Sequence, residues 1–169
     1  RMKNNFFLIC FGAASLLASC TTWTEITLKQ DGSAHVTSSN FGMYPPDFFK
    51  SAQISDLSFP ADSTSVSFNI KTIDSLGNYL YPDFEKDYFK FKYSNDTLIF
   101  TDGNTPTYRY KRYSFWTSHI TITSDQKIKS VQTKNRFVKK KKNMVVIEKA
   151  GPKFMKLKKD TKVVMVFGE

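Results

Sequence analysis

Cysteine is scarce in this chain, and its scarcity excludes several kinds of chemistry. The 169 residues include only two cysteines, Cys10 and Cys20, and both lie in or next to an apolar N-terminal stretch. No cysteine remains after Cys20, so disulfide bonds, thiolate metal sites and cysteine nucleophiles are not expected in the rest of the chain. The stability of that part must come from packing, for which its length is sufficient.

Motifs of common enzyme classes are also missing. The chain has no glycine-rich phosphate loop, no Gly-x-Ser-x-Gly elbow and no His-Glu-x-x-His run. Its two histidines, His35 and His119, occupy polar positions of alternating segments, with no second histidine or carboxylate at ligand spacing. We therefore expect ordinary surface histidines, no metal ion, no catalytic residues and no enzyme activity.

Three carboxylates, Asp83, Glu85 and Asp87, alternate along a segment that would place them on one face if it were extended. Paired acids can cleave glycosidic bonds, but no pattern typical of a cleft surrounds these residues. A solvated acidic face is the favoured interpretation.

A long apolar run is missing as well, which argues against a membrane-spanning helix. Such a helix needs about 20 apolar residues, whereas the apolar run here covers only residues 6–17. It follows the basic residues Arg1 and Lys3 and is succeeded by the small residues Ala18 and Ser19. A basic start, an apolar centre and a small-residue end are typical of a secretory signal peptide.

The residues Leu17-Ala18-Ser19-Cys20 resemble the lipobox of bacterial lipoproteins. The resemblance implies that residues 1–19 form a signal peptide that is removed, and that Cys20 carries a covalent lipid such as palmitate. Residues 20–23 would then be the acylated tether, and no further cofactor is implied. An ordinary cleaved secretion signal and a buried N-terminal helix are the alternatives.

Several acyl chains on one residue hold a protein at a bilayer, so the resemblance implies a location in the bacterial cell envelope. Thr21 rather than an aspartate follows the cysteine, which resembles lipoproteins passed on to the outer membrane. Because only Glu25 adds negative charge near the anchor, we expect a position facing the periplasm, with the cell surface as the alternative. The expected partners are the membrane, through the lipid, and an envelope protein, anionic lipid or polysaccharide. Nucleic acid is not expected there.

Positive charge is scarce in the first part of the chain and abundant in the last. Residues 20–126 carry 9 basic and 12 acidic side chains, whereas residues 127–169 carry 14 basic and 3 acidic ones. The candidate contacts with an anionic surface are Lys139, Lys140, Lys141, Lys142, Lys156, Lys158 and Lys159. The other interpretation, which we favour from the sequence alone, is that these lysines coat exposed strands and blunt a sheet edge.

Alternation of apolar and polar residues predicts a mainly β or α+β fold, with an antiparallel sheet built from hairpins and one or two short helices. One predicted hairpin joins residues 24–28 to 34–38 through Asp31 and Gly32. Its position after the cysteine resembles the opening of small sheet-based envelope lipoproteins of uncharacterised function. A second hairpin joins residues 88–93 to 98–100.

The remaining segments complete a single predicted domain over residues 24–169. Strands are expected at residues 65–71, 108–116, 119–123, 128–133, 136–138, 144–147 and 163–167, a turn at 76–78 and a short helix at 48–54. The strands at 144–147 and 163–167 are continuous apolar runs, which is typical of strands covered on both faces.

Aromatic residues are concentrated at residues 107–116. If this stretch is a strand, Tyr108, Tyr110 and Trp116 line one face and Tyr113 lies on the other. Rings interleaved with cations are suited to stacking on sugars or to binding peptides and headgroups. Core packing is the alternative for the same residues, and the composition favours it.

Two functions follow from these features. The first is a membrane-anchored envelope lipoprotein with a non-catalytic binding or assembly role, contacting anionic components through its basic C-terminal third. The alternative is a carbohydrate-binding lipoprotein at the surface or in the periplasm, with the four residues Tyr108, Tyr110, Tyr113 and Trp116 as its platform.

Overall fold

The computed structural model describes residues 21–39, 45–59, 64–80, 89–102, 117–150 and 161–168. In these ranges the chain forms eleven strands and two short 3-10 helices, so the prediction of a mainly β fold is confirmed. The strands are β1 (Thr21–Leu28), β2 (Ala34–Ser39), β3 (Ile54–Ser58), β4 (Ser65–Ile70), β5 (Phe89–Ser94), β6 (Thr97–Asp102), β7 (Thr117–Ser124), β8 (Lys127–Thr133), β9 (Val138–Lys141), β10 (Met144–Ala150) and β11 (Thr161–Gly168). The 3-10 helices are Pro46–Phe49 and Ile73–Asn78.

The strands form two sheets. The larger has seven strands in the order β3-β4-β2-β1-β7-β10-β9, and the smaller has four in the order β5-β6-β11-β8. The prediction of an antiparallel sheet is corrected at one place, because β1 pairs with β7 in parallel. A parallel pair needs a long crossover, and here the chain passes through the β5-β6 hairpin of the smaller sheet between β1 and β7.

One hydrophobic cluster contains the inward side chains of both sheets. In the larger sheet these alternate along the strands, as Ile26 and Leu28 do on β1. The smaller sheet contributes a group of rings, in which Phe91 and Phe100 have centroids 5.2 Å apart. The outward face of β1, β2, β4 and β7 is mainly polar, since the residues between the buried ones there are Ser, Thr, His, Asn and Glu, apart from Trp23. This alternation fixes which side chains are available to solvent.

The first predicted hairpin is confirmed, and its turn shows why these residues are needed. Gly32 has a φ of +83°, a conformation that glycine adopts without steric cost. The Asp31 carboxylate accepts hydrogen bonds from the backbone N–H of Ser33 at 2.9 Å and from its hydroxyl at 2.6 Å. These bonds hold the pKa of Asp31 below its ordinary value. The second predicted hairpin is also confirmed as β5 and β6.

The predicted helix at residues 48–54 is wrong. A 3-10 helix ends at Phe49, and β3 begins at Ile54 as the edge strand beside β4. Phe49 is buried, and the centroid of its ring lies 5.5 Å from that of Phe68, while Phe48 is half-buried. Pairing with β4 supplies β3 with partners that a single-sequence pattern does not reveal.

Three other boundaries differ from the prediction. The turn expected at residues 76–78 is the end of the 3-10 helix Ile73–Asn78. The strand expected at 136–138 begins only at Val138 and continues through three lysines to Lys141. Of the two apolar runs, β10 is buried on both faces at residues 145–147, whereas β11 alternates between buried residues and half-buried Val164 and Val166.

Candidate functional site

Lysines occupy edge strands in both sheets. β9 is an edge of the larger sheet and carries Lys139, Lys140 and Lys141, and Lys142 follows in the turn to β10. β8 is an edge of the smaller sheet and carries Lys127 and Lys129. The connecting loop adds Lys134 and Arg136. These exposed cations are here named the basic edge: Lys127, Lys129, Lys134, Arg136, Lys139, Lys140, Lys141 and Lys142.

The loop between β8 and β9 carries the chain from one sheet to the other, and its conformation is fixed by local hydrogen bonds. The backbone N–H of Asn135 donates to the Thr133 hydroxyl at 3.0 Å, and the Asn135 side chain accepts from the N–H of Phe137 at 2.9 Å. The carbonyl of Phe137 then accepts from the N–H of Glu148 on β10 at 2.9 Å. These bonds therefore fix the position of the β9 lysines relative to the β8 lysines.

The four consecutive lysines have different surroundings. Lys139 forms an ion pair with Glu148, and this hydrogen bond holds the pKa of the Glu148 carboxyl below its ordinary value. The ammonium group of Lys140 donates to the backbone carbonyl of Lys129 at 3.0 Å. Within the described ranges, Lys141 and Lys142 have no hydrogen-bond or ion-pair partner. Those two charges are available to an external anion.

The basic edge is a local concentration of positive charge. Eight cations lie on a short stretch of surface, and between Lys127 and Asn143 the sequence has no acidic residue. Such a group raises the local concentration of polyanions. In the ranges that the structure describes, no group of three or more His, Cys, Asp or Glu side chains could hold a metal ion. No helix in those ranges is long and apolar enough to cross a bilayer.

The same strands also fit the interpretation that lysines protect sheet edges. Lys90 and Lys92 on β5, the other edge of the smaller sheet, are exposed as well. An edge strand presents unpaired backbone groups, and lysine discourages pairing with another chain. Only β3 among the four described edges lacks lysine, and there a register shift interrupts the ladder. Edge protection and anion binding are thus both compatible with β9.

Lys127 and Lys129 were not among the predicted contact residues, because they lie in a different sheet from the lysine run. The alternating Lys-Ile-Lys pattern at residues 127–129 could have identified a strand with one exposed face. It does not reveal that this strand lies beside β9. The predicted sites Cys20, Lys156, Lys158 and Lys159, together with the aromatic residues Tyr108, Tyr110, Tyr113 and Trp116 and the carboxylates at 83–87, lie outside the described residues. They stay predictions.

Comparisons with known proteins add little. No family model matches the chain, and no curated protein matches it. Among solved structures, it is similar to the folded domain of LppM from Mycobacterium tuberculosis, determined by NMR, at 9% sequence identity. That similarity has a TM-score of 0.47 and covers 88% of this chain and 90% of the other. A likeness this slight carries over no function.

Proposed function

We propose that this protein is a lipid-anchored component of the bacterial cell envelope that binds an anionic envelope polymer through its basic edge. The single observation that carries the proposal is the convergence of two lysine-bearing edge strands, β8 and β9, into one exposed group of eight cations. The role is binding or assembly, without catalysis. In this proposal the anchor is a lipid on Cys20, whose attachment is inferred from the lipobox-like residues before it.

The position of the lysines along the strands bears on the kind of partner. Lys141 pairs with Met144, Met144 with Thr123, and Thr123 with Thr27 of β1. Lys141 is therefore level with the far end of β1, which begins at Thr21. Six residues of a strand span about 20 Å at roughly 3.3 Å each.

A lipid on Cys20 would hold the start of β1 at the membrane. Screening reduces electrostatic attraction over about 8 Å at physiological ionic strength. When the strands stand away from the bilayer, Lys141 and Lys142 are beyond the reach of the headgroups that surround the anchor. This geometry favours a phosphate-rich or acidic polymer, or an acidic protein face, over the anchoring leaflet.

A binding experiment tests the proposal with two kinds of probe. Residues 20–169 carrying Cys20→Ser would be titrated with soluble polyphosphate and, separately, with vesicles containing about a quarter anionic lipid. We expect saturable binding to polyphosphate that weakens steeply as salt rises. The double variant Lys141→Glu/Lys142→Glu should bind at least about tenfold more weakly.

The matched control is Lys90→Glu/Lys92→Glu, which reverses two charges on a different edge strand and so changes net charge equally. Comparable losses in both double variants would show a general charge effect and would count against the basic edge as the site. Binding that does not change with salt would also contradict the proposal. The anchor is tested separately, by metabolic labelling with a fatty-acid analogue, which should label the native chain and not Cys20→Ser.

A further inference from the structure

Four polar side chains form a connected chain on the outward face of the larger sheet. His35 lies on β2 directly opposite Asn69 on β4, and Ser67 precedes Asn69 by two residues on the same face. The Nδ1 atom of His35 lies 2.8 Å from Oδ1 of Asn69, and its Nε2 atom lies 3.1 Å from Oγ of Ser67. The amide nitrogen of Asn69 donates to the Asp56 carboxylate on β3.

The direction of each hydrogen bond follows from the two ends of this chain. A carboxylate accepts only, so Asp56 fixes the Asn69 amide with its nitrogen toward β3 and its oxygen toward His35. The Nδ1 atom of His35 must then carry the proton and donate it to Asn69. The neutral ring consequently presents an unprotonated Nε2 atom to the Ser67 hydroxyl, which donates to it. This is the tautomer that a general base for a serine requires.

The backbone at Asp56 is unusual for a strand. Its φ is +53°, and the β3-β4 register shifts between Ser55 and Ser58, so that Asp56 and Leu57 together face a single residue of β4. This is the geometry of a β-bulge, which redirects side chains and is common beside functional sites. A non-glycine residue at positive φ costs free energy that the surrounding structure must offset. Here the bulged residue is the one that orients Asn69.

We infer that Ser67 is an activated nucleophile that accepts an acyl group from a small activated ester. The Ser67 Oγ atom forms a bond to the acyl carbon while the Nε2 atom of His35 takes the hydroxyl proton. The bond from the acyl carbon to the leaving oxygen breaks, and the proton passes from His35 to that oxygen. Asn69 and Asp56 are positioning residues, because they act on Ser67 only through His35.

The site is accessible to such a reagent. His35 and Asp56 are exposed, and Ser67 is half-buried on a face that no other described element covers. The site is open rather than enclosed, so electrostatic stabilisation of the reaction is weaker than in a closed active site. The inference is accordingly a reactive modification site and not a rapid turnover enzyme, and it is independent of binding at the basic edge.

The test treats the purified protein with p-nitrophenyl acetate and measures acetylation at each residue by peptide mass spectrometry. We expect Ser67 to be acetylated about tenfold or more faster than the other serines and threonines. His35→Gln, which keeps a polar side chain but lacks the base, should reduce that rate to the level of the other hydroxyls. A general base in position contributes about 10²-fold or more in enzymes.

Two further variants test whether the hydrogen-bonded chain activates the Ser67 hydroxyl or only stabilises the sheet. Asp56→Gly removes the acceptor that orients Asn69 and suits the positive φ at this position, so the amide is free to turn over and the rate at Ser67 should fall with the fold intact by circular dichroism. Thr123→Val is the matched control, because Thr123 lies on the same outward face but hydrogen-bonds to Thr27 and to the backbone carbonyl of Ile26 on β1 rather than to the four side chains. It should leave the rate unchanged. Equal acetylation of Ser67 and the other hydroxyls in the native protein, or an unchanged rate in His35→Gln, would overturn the inference.

Discussion

The ammonium group of Lys140 donates a hydrogen bond to the backbone carbonyl of Lys129 at 3.0 Å, and this bond joins the edge strands of the two sheets. The side chains of Lys139 and Lys141 alternate with that of Lys140 and lie on the opposite face of β9. One lysine of the run therefore ties the sheets together, while its neighbour Lys141 faces solvent. Four identical residues in sequence have different physical roles because strand geometry separates them.

Replacing Lys140 by methionine should lower stability, whereas the same replacement of Lys141 should not. Methionine retains most of the aliphatic stem, so the loss at position 140 is mainly the charge-assisted hydrogen bond, about 0.5 to 1 kcal/mol at an exposed site. Urea unfolding monitored by circular dichroism measures the difference in the free energy of unfolding. Equal stability of the two variants would show that the Lys140 contact contributes nothing in solution.

The lysines and the histidine illustrate what sequence patterns can predict here. The hairpins containing Gly32 and the β5-β6 turn were predictable, because alternation and turn residues act over a few positions. The parallel pairing of β1 with β7 and the contact of His35 with Ser67 were not. His35 and Ser67 lie 32 positions apart in sequence, and β3, which lies between them in sequence and carries Asp56, was not predicted. Side-chain alternation gives the face of a residue but not the neighbouring strand or its register.

Gly77 should tolerate no side chain. A β-carbon at this position would overlap the backbone carbonyl oxygen of Phe89 at the start of β5. Because that oxygen belongs to the main chain of a paired strand, relief requires movement of the 3-10 helix or of β5. We expect Gly77→Ala to reduce the free energy of unfolding by about 1 to 3 kcal/mol.

Ser75→Ala in the same 3-10 helix is the matched control for Gly77→Ala, and it should change stability by less than about 0.5 kcal/mol. Thermal or urea unfolding of both variants provides the comparison. Should Gly77→Ala be as stable as the native protein, the close approach of the helix to β5 would be wrong.

The turn of the first hairpin should make stability depend on pH. Hydrogen bonds from the side chain and backbone of Ser33 hold the pKa of Asp31 below its ordinary value, 3.8. An acid whose pKa is lower in the folded state stabilises that state fully above its unfolded-state pKa, and the contribution is lost as pH falls through the folded-state pKa. The Asp31 contribution is therefore present at neutral pH and disappears in acid, below about 3.8.

Asp31→Asn retains the acceptor oxygen but cannot ionise, which isolates the charge. The native protein should be more stable than Asp31→Asn at pH 6, and the gap should close as pH is lowered to about 2. Unfolding curves at several pH values measure it. A gap that is constant over this range would mean that the charge of Asp31 has no part in holding the turn.

A buried hydroxyl pair in the larger sheet should show an asymmetric response to truncation. The oxygens of Thr24 and Ser38 lie 2.8 Å apart, and both residues are buried, at 0% and 4% exposure. The Ser38 hydroxyl donates to the carbonyl of Trp23 at 3.2 Å, which uses its proton. The Thr24 hydroxyl must therefore be the donor within the pair.

Ser38→Ala leaves the Thr24 proton buried without its acceptor, while Thr24→Val removes the donor and leaves Ser38 bonded to Trp23. Burying an unsatisfied polar group costs about 1 to 3 kcal/mol, whereas removing both partners can be nearly neutral. We expect Ser38→Ala to be the more destabilising single change, and the double variant to lose less than the sum of the two. Urea unfolding of the four proteins completes the cycle. If Thr24→Val proved the costlier change, the assigned direction of the hydrogen bond would be reversed, with Ser38 donating to Thr24 and the Trp23 carbonyl left to Ser39.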